Sequence, residues 1–138
     1  METQDKIFIG IDPGVNTGIS VWHKSEKKFS ILQKTSIIDS FEIVKGIYEF
    51  NKDKEITVII EDARQRSGSV ETRLGAGSVR RDCQIWEEFL KYNNFRNFRF
   101  QKPIKGMTKL SREQFKKITG VDCGNEHARD AGMIVFGY

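Results

Sequence analysis

Cysteine is almost absent from this chain: Cys83 and Cys123, far apart in sequence, are the only two. That excludes a disulfide framework and makes a reducing, cytoplasmic setting the expected one. Histidine is as scarce, with His23 and His127 alone. Cys123 and His127 have a C-x-x-x-H spacing, yet the chain has too few partners to complete a structural zinc site. No apolar run approaches the length that crosses a bilayer, and the polar opening METQDK does not read as a signal peptide. Linkers, repeats and low-complexity tracts are missing as well. The 138 residues suffice for one domain with a sizeable core and are too few for two, so a single domain over 1–138 is expected. Hydrophobic content of 38% and charged content of 30% describe a globular chain rather than a disordered one.

Net charge is +4, a modest excess that suits a polyanionic partner. Its distribution says more. Asp12, Glu61 and Asp130 sit inside or beside apolar segments, whereas bases crowd ARQRSGSVETRLGAGSVRR and QKPIKGMTKLSREQFKK. A few embedded acids flanked by basic loops fit a nuclease better than a passive nucleic-acid coat.

Residues 6–12 form a continuous apolar run, the pattern of a buried strand. Two more strands, 18–24 and 28–35, complete an antiparallel meander, with Phe29, Ile31 and Gln33 predicted on one face. Helical spacing follows over 39–51, carried by Phe41, Val44, Ile47 and Tyr48, with Asp39 or Ser40 as N-cap. EITVIIED returns to strand. A long helix is predicted over 69–93 on the stripe Val79, Cys83, Trp86 and Leu90, with Gly75 and Gly77 near its start permitting close backbone approach. FRNFRFQ is a short strand with Phe98 and Phe100 on one face, and 103–110 is a basic loop. Ser111 to Thr119 is a short helix stopped by Gly120. GNEHARDAGMIVFGY is the last helix, capped by Asn125, with Ala128, Ala131 and Gly132 small enough to lie against a sheet. The order is βββαβαβαα.

Two strands end in acid, at Asp12 and at Glu61. If they are parallel neighbours, both acids stand at the sheet edge where α/β proteins build ligand sites. On the last helix, Glu126 and His127 precede Asp130 by four and three positions and share its face. Clustered carboxylates raise one another's pKa unless a cation neutralises them. An oxygen-rich set prefers magnesium, with manganese as substitute. Two such ions roughly 3.5–4 Å apart can activate a water and stabilise the leaving oxygen of a phosphodiester.

IGIDPG on the first strand, VIIE on the fourth, and the terminal EHARDAGMIVFG helix resemble the RuvC-type Holliday junction resolvases of the ribonuclease H-like superfamily. The resemblance implies a mixed five-stranded sheet, three antiparallel strands then two parallel, flanked by helices. It also implies two divalent metals and a homodimer that nicks four-way DNA junctions symmetrically. By position, Asp12 matches the first-strand aspartate, Glu61 the fourth-strand glutamate, and His127 and Asp130 the acidic positions of the last helix. Histidine at 127 departs from the commonest pattern; it can ligate a metal or relay a proton. Whether His127 or Glu126 completes the set stays open.

Arg64, Arg66, Arg73, Arg80 and Arg81 start directly after Glu61, and Lys102, Lys105 and Lys109 lie on a loop opening near the same edge. They are candidate phosphate contacts, which position a nucleic acid without reading its sequence. Blander accounts exist for single residues: Asp12 in an Asp-Pro-Gly turn, Glu61 paired with Arg64, and Asp130 bonded to Arg129. Competing functions are an RNA-processing or general nuclease of the same superfamily, and an inactive junction-binding protein. A nucleotide-binding loop like that of the actin-type ATPases is a further option, although those enzymes close two such domains around the nucleotide.

Overall fold

The computed structural model describes residues 5–62, 64 and 76–138. Its elements run β1 (Lys6–Asp12), β2 (Thr17–His23), β3 (Lys28–Thr35), α1 (Ile37–Phe50), β4 (Glu55–Glu61), α2 (Ala76–Tyr92), β5 (Phe98–Gln101), α3 (Arg112–Thr119) and α4 (Glu126–Val135). The five strands form one sheet in the order β3-β2-β1-β4-β5. β1 pairs antiparallel with β2 and β2 with β3, while β1–β4 and β4–β5 are parallel. The mixed sheet of three antiparallel and two parallel strands is therefore as expected.

Between their charged ends β1 and β4 are almost wholly apolar because both sheet faces are covered. One face carries Ile7, Ile9, Ile11, Ile19, Val21, Ile56, Val58 and Ile60 against Val44 of α1 and Trp86 and Leu90 of α2. The other carries Phe8, Trp22 and Ile59 against Ile134 and Val135 of α4. Beyond it, Phe115 of α3 packs with Cys123, Ala128 and Met133. Burying each large aliphatic or aromatic side chain contributes about 1.5–3 kcal/mol, so these two layers supply the drive that holds the central strands in register.

Several local readings need correction. α1 begins at Ile37 with Ser36 as its cap, whose hydroxyl accepts from the Asp39 amide at 3.0 Å. Ile38 is 70% exposed and so added nothing to an apolar stripe. In β3 the register slips against Val21 and Trp22, leaving Ser30 unpaired. That bulge sends Phe29 to the α4 side with Trp22 while Ile31 stays on the α1 side. β5 starts only at Phe98; Phe95 instead closes the core beneath Tyr48, their ring centroids 4.6 Å apart. The start of the predicted 69–93 helix, with Gly75, lies outside the described residues. Gly77 has open space around it and mediates no close approach.

At the other end of the chain the Gly120 stop and the Asn125 cap are as expected, whereas Ser111, expected inside its helix, is the N-cap of it. Ser111 and Gln114 form a reciprocal capping box, Gly120 ends α3 at φ 79°, and Asn125 accepts from the Ala128 amide.

Candidate functional site

The register of the parallel pair fixes where the strand-end acids stand. Its last pair is Ile11 with Ile60, so Asp12 and Glu61 occupy the next level, side by side. Ile11 and Ile60 both point to the α1 and α2 side. Side chains alternate along a strand, and the two acids therefore project to the opposite side, toward α4. Thr17 closes the turn after Asp12 by donating its hydroxyl to the Gly14 carbonyl at 2.7 Å.

α4 reaches these acids because its N-terminal part crosses the sheet at Gly10 and Gly18, which have no side chains. A Cβ on Gly18 would stand 2.0 Å from the His127 carbonyl, and one on Gly10 would stand 2.5 Å from that of Ala131. Ser20 fills the remaining space and donates to the Ala131 carbonyl at 2.7 Å, fully buried. With Ala128 and Ala131 buried, this part of the helix lies close against the glycine backbone. This close approach puts His127 Nδ1 at 3.9 Å from Asp12 Oδ2. It also brings Asp130 into one crevice with Glu61, lined further by Gln101, Lys102, Ile104 and Met133.

The site is held in unequal states of burial. Glu61 is 8% exposed, and the Cys83 thiol lies 3.9 Å from its carbonyl. Burial pushes the Asp130 carboxyl above its ordinary value; the Lys109 amide opposes this, and the charge of Glu126 adds to the rise. That amide donates to Asp130 Oδ1 at 2.8 Å. Among the described residues, no three His, Cys, Asp or Glu side chains are gathered tightly enough to form a ready metal cage. The acids instead stand as two neighbouring pairs, Asp12 with His127 and Glu61 with Asp130. Glu126 is exposed.

The predicted phosphate contacts divide. Lys102, Lys105 and Lys109 are exposed on the loop that rims the crevice. Arg80 and Arg81 are exposed on the first turns of α2, with Arg81 within 3.4 Å of Asp82. Arg64 is engaged otherwise: Nε and Nη2 donate to the two oxygens of Asp62 at 2.7 and 3.0 Å, and its guanidinium lies 4.8 Å from the centre of the Phe100 ring. Its partner is thus Asp62 rather than Glu61. Arg66 and Arg73 lie outside the described residues.

No protein-family model matches the chain, and no curated protein matches it in sequence. Among solved structures, T. thermophilus RuvC in complex with Holliday junction substrate superposes with a TM-score of 0.56, covering 94% of this chain and 90% of that one at 16% identity. A second Thermus thermophilus RuvC structure gives 0.49 at 15% identity, over 94% and 91% of the two chains. The chain has the ribonuclease H-like fold.

Sequence reasoning missed three features around these acids. Asp62 and Asp82 are buried acids, 5% and 6% exposed. Asp62 was legible as the second acid closing an apolar strand, and Asp82 by its place beside the apolar stripe of its helix, three residues after Val79 and four before Trp86. The third, the Lys109 amide on Asp130, is a backbone group, invisible to any residue pattern.

Proposed function

We propose that residues 1–138 form a nuclease domain that acts on branched DNA: a divalent-metal-dependent endodeoxyribonuclease resolving four-way (Holliday) junctions by symmetric phosphodiester hydrolysis, as a homodimer. The observation that carries this reading is the convergence of Asp12 and Glu61, at the ends of adjacent parallel strands, with His127 and Asp130 of α4. The RuvC of the superposed structure is in complex with Holliday junction substrate, which supports the choice of DNA form.

The donor set fits magnesium or manganese: three carboxylates and one imidazole, with Asp130 buried enough that its charge calls for a cation. Asp12, Glu61 and Asp130 would hold two ions, with His127 as the further ligand. When bound, the ions supply Lewis-acid stabilisation to the attacking and leaving oxygens of the phosphodiester. His127 Nδ1 faces Asp12 Oδ2 at 3.9 Å, which leaves the other ring nitrogen as the one that would ligate an ion. Lys102, Lys105 and Lys109 neutralise phosphates along the rim, with Arg80 and Arg81 extending that path on α2.

The test compares an immobile four-way junction with matched duplex and structured RNA. Binding or cutting that favours RNA over the junction sinks the DNA reading and leaves a nuclease of other specificity. A second reading, a junction-binding protein that does not cut, has one observation in its favour: no three described ligand side chains are gathered for an ion. Junction binding in magnesium without any nick selects it.

A further inference from the structure

Consecutive residues of α4 grip consecutive residues of the basic loop. The Lys109 amide donates to Asp130 Oδ1 at 2.8 Å, and Arg129 Nε donates to the Leu110 carbonyl at 2.9 Å. Arg129 Nη1 also donates to the Cys123 carbonyl at 3.0 Å, so its guanidinium is anchored on both sides. Lys109 meets Asp130 with its backbone in the left-handed region, φ 55°. Side chains with a Cβ avoid that conformation, and it persists where the surroundings hold it. Here the surroundings are a carboxylate of the candidate metal site.

We propose that the Lys109 main-chain amide is a positioning group for Asp130, fixing one carboxylate oxygen so that the other is presented to a divalent cation. The proposal rests on the nuclease reading of the site and adds a group to it that no side-chain pattern contains. Half-buried, Asp130 would otherwise rotate among several orientations, and a cation would have to order it on binding. An amide held in a strained turn removes that cost in advance. Partners of this kind, one shell away from a metal, change its affinity by roughly tenfold to a hundredfold when removed.

The test is calorimetric titration of Mn2+ into the full chain, for the parent, Lys109→Gly and Lys109→Pro. Glycine keeps the N–H and adopts positive φ freely; proline has no N–H and cannot reach that φ. The expected result is parental Mn2+ affinity within about twofold for Lys109→Gly and a loss of roughly tenfold or more for Lys109→Pro. Equal affinity in all three overturns the proposal, and so does an equal loss in both variants, which would assign the effect to the lysine side chain. Should the proline variant fail to fold, an ester replacing the amide between 108 and 109 removes the same N–H and is read the same way.

A second arm needs no cation. In the parent, Asp130→Asn should shift the Lys109 amide resonance upfield, as a neutral acceptor replaces a charged one. An unmoved resonance overturns the proposal. If the parent binds no Mn2+, the nuclease reading fails by itself, and this arm still decides whether the amide holds Asp130.

Discussion

Burial raises the Asp130 carboxyl above the ordinary carboxylate range, while the unfolded chain keeps the ordinary value. An acid of this kind favours the fold when protonated. Its contribution is fully present below the ordinary carboxylate range and is lost as pH rises through the raised folded value. At neutral pH without cation, Asp130 therefore strains the protein. Asp130→Asn should raise the melting temperature at pH 7 in chelator, and the gain should shrink to nothing once pH falls below the ordinary carboxylate range. Added magnesium should narrow or reverse the difference, because the parent binds it better. A variant that melts below the parent at pH 7 in chelator contradicts this. Arg64 makes a different residue-scale prediction. Its side chain makes two bonds to Asp62, which is 5% exposed and also accepts from the Arg64 amide at 3.1 Å, so Arg64→Ala removes two charge-assisted bonds from a buried carboxylate and should cost about 2 kcal/mol in denaturant unfolding. An unchanged midpoint would show that Arg64 is free to serve DNA alone. At this scale Asp12, Glu61 and Asp130 were legible because a carboxylate in an apolar run is conspicuous; Asp82 was less so, standing beside a helical stripe rather than in such a run.

Helix α4 is the element on which the site depends, and its seat on glycine backbone can be tested directly. A methyl group on Gly18 would meet the His127 carbonyl at 2.0 Å, with nowhere to go except by lifting the helix. Gly18→Ala should cost about 3 kcal/mol, at the upper end for overpacking, and should lower cleavage further than stability alone explains. Gly46, inside α1 with open space around it, is the control. Gly46→Ala should stabilise by about 0.5–1 kcal/mol through helix propensity. Equal effects at the two positions would remove the close-packing account. Much at this scale was readable: Gly120 and Asn125 are a stop and a cap recognisable by residue type and spacing. The bulge at Ser30 and the late start of β5 were not, because both are set by the neighbouring strand. Ser36 escaped notice since the first apolar residues of α1 face solvent.

For the whole molecule, the parallel neighbourhood of β1 and β4 turns separate acids into a site. Periodicity reveals strands but not their order across a sheet, so that neighbourhood came from the family resemblance. The sheet bears it out. Charge acts at the same scale: Lys102 lines the acidic crevice, Lys105 is exposed on the same loop, and Arg80 and Arg81 are exposed on α2. Junction affinity should fall steeply with salt, and Lys102→Ala with Lys105→Ala should flatten the log–log slope by about one each. A slope unmoved by both would place the DNA elsewhere.

The most direct test is cleavage of an immobile four-way junction by the parent and by Asp12→Asn, in magnesium and in chelator. The account predicts paired symmetric nicks by the parent in magnesium, abolished by chelator and reduced at least a hundredfold, on the order of 3 kcal/mol of barrier, by Asp12→Asn. Nicking that survives either loss would contradict a metal-dependent site built on Asp12.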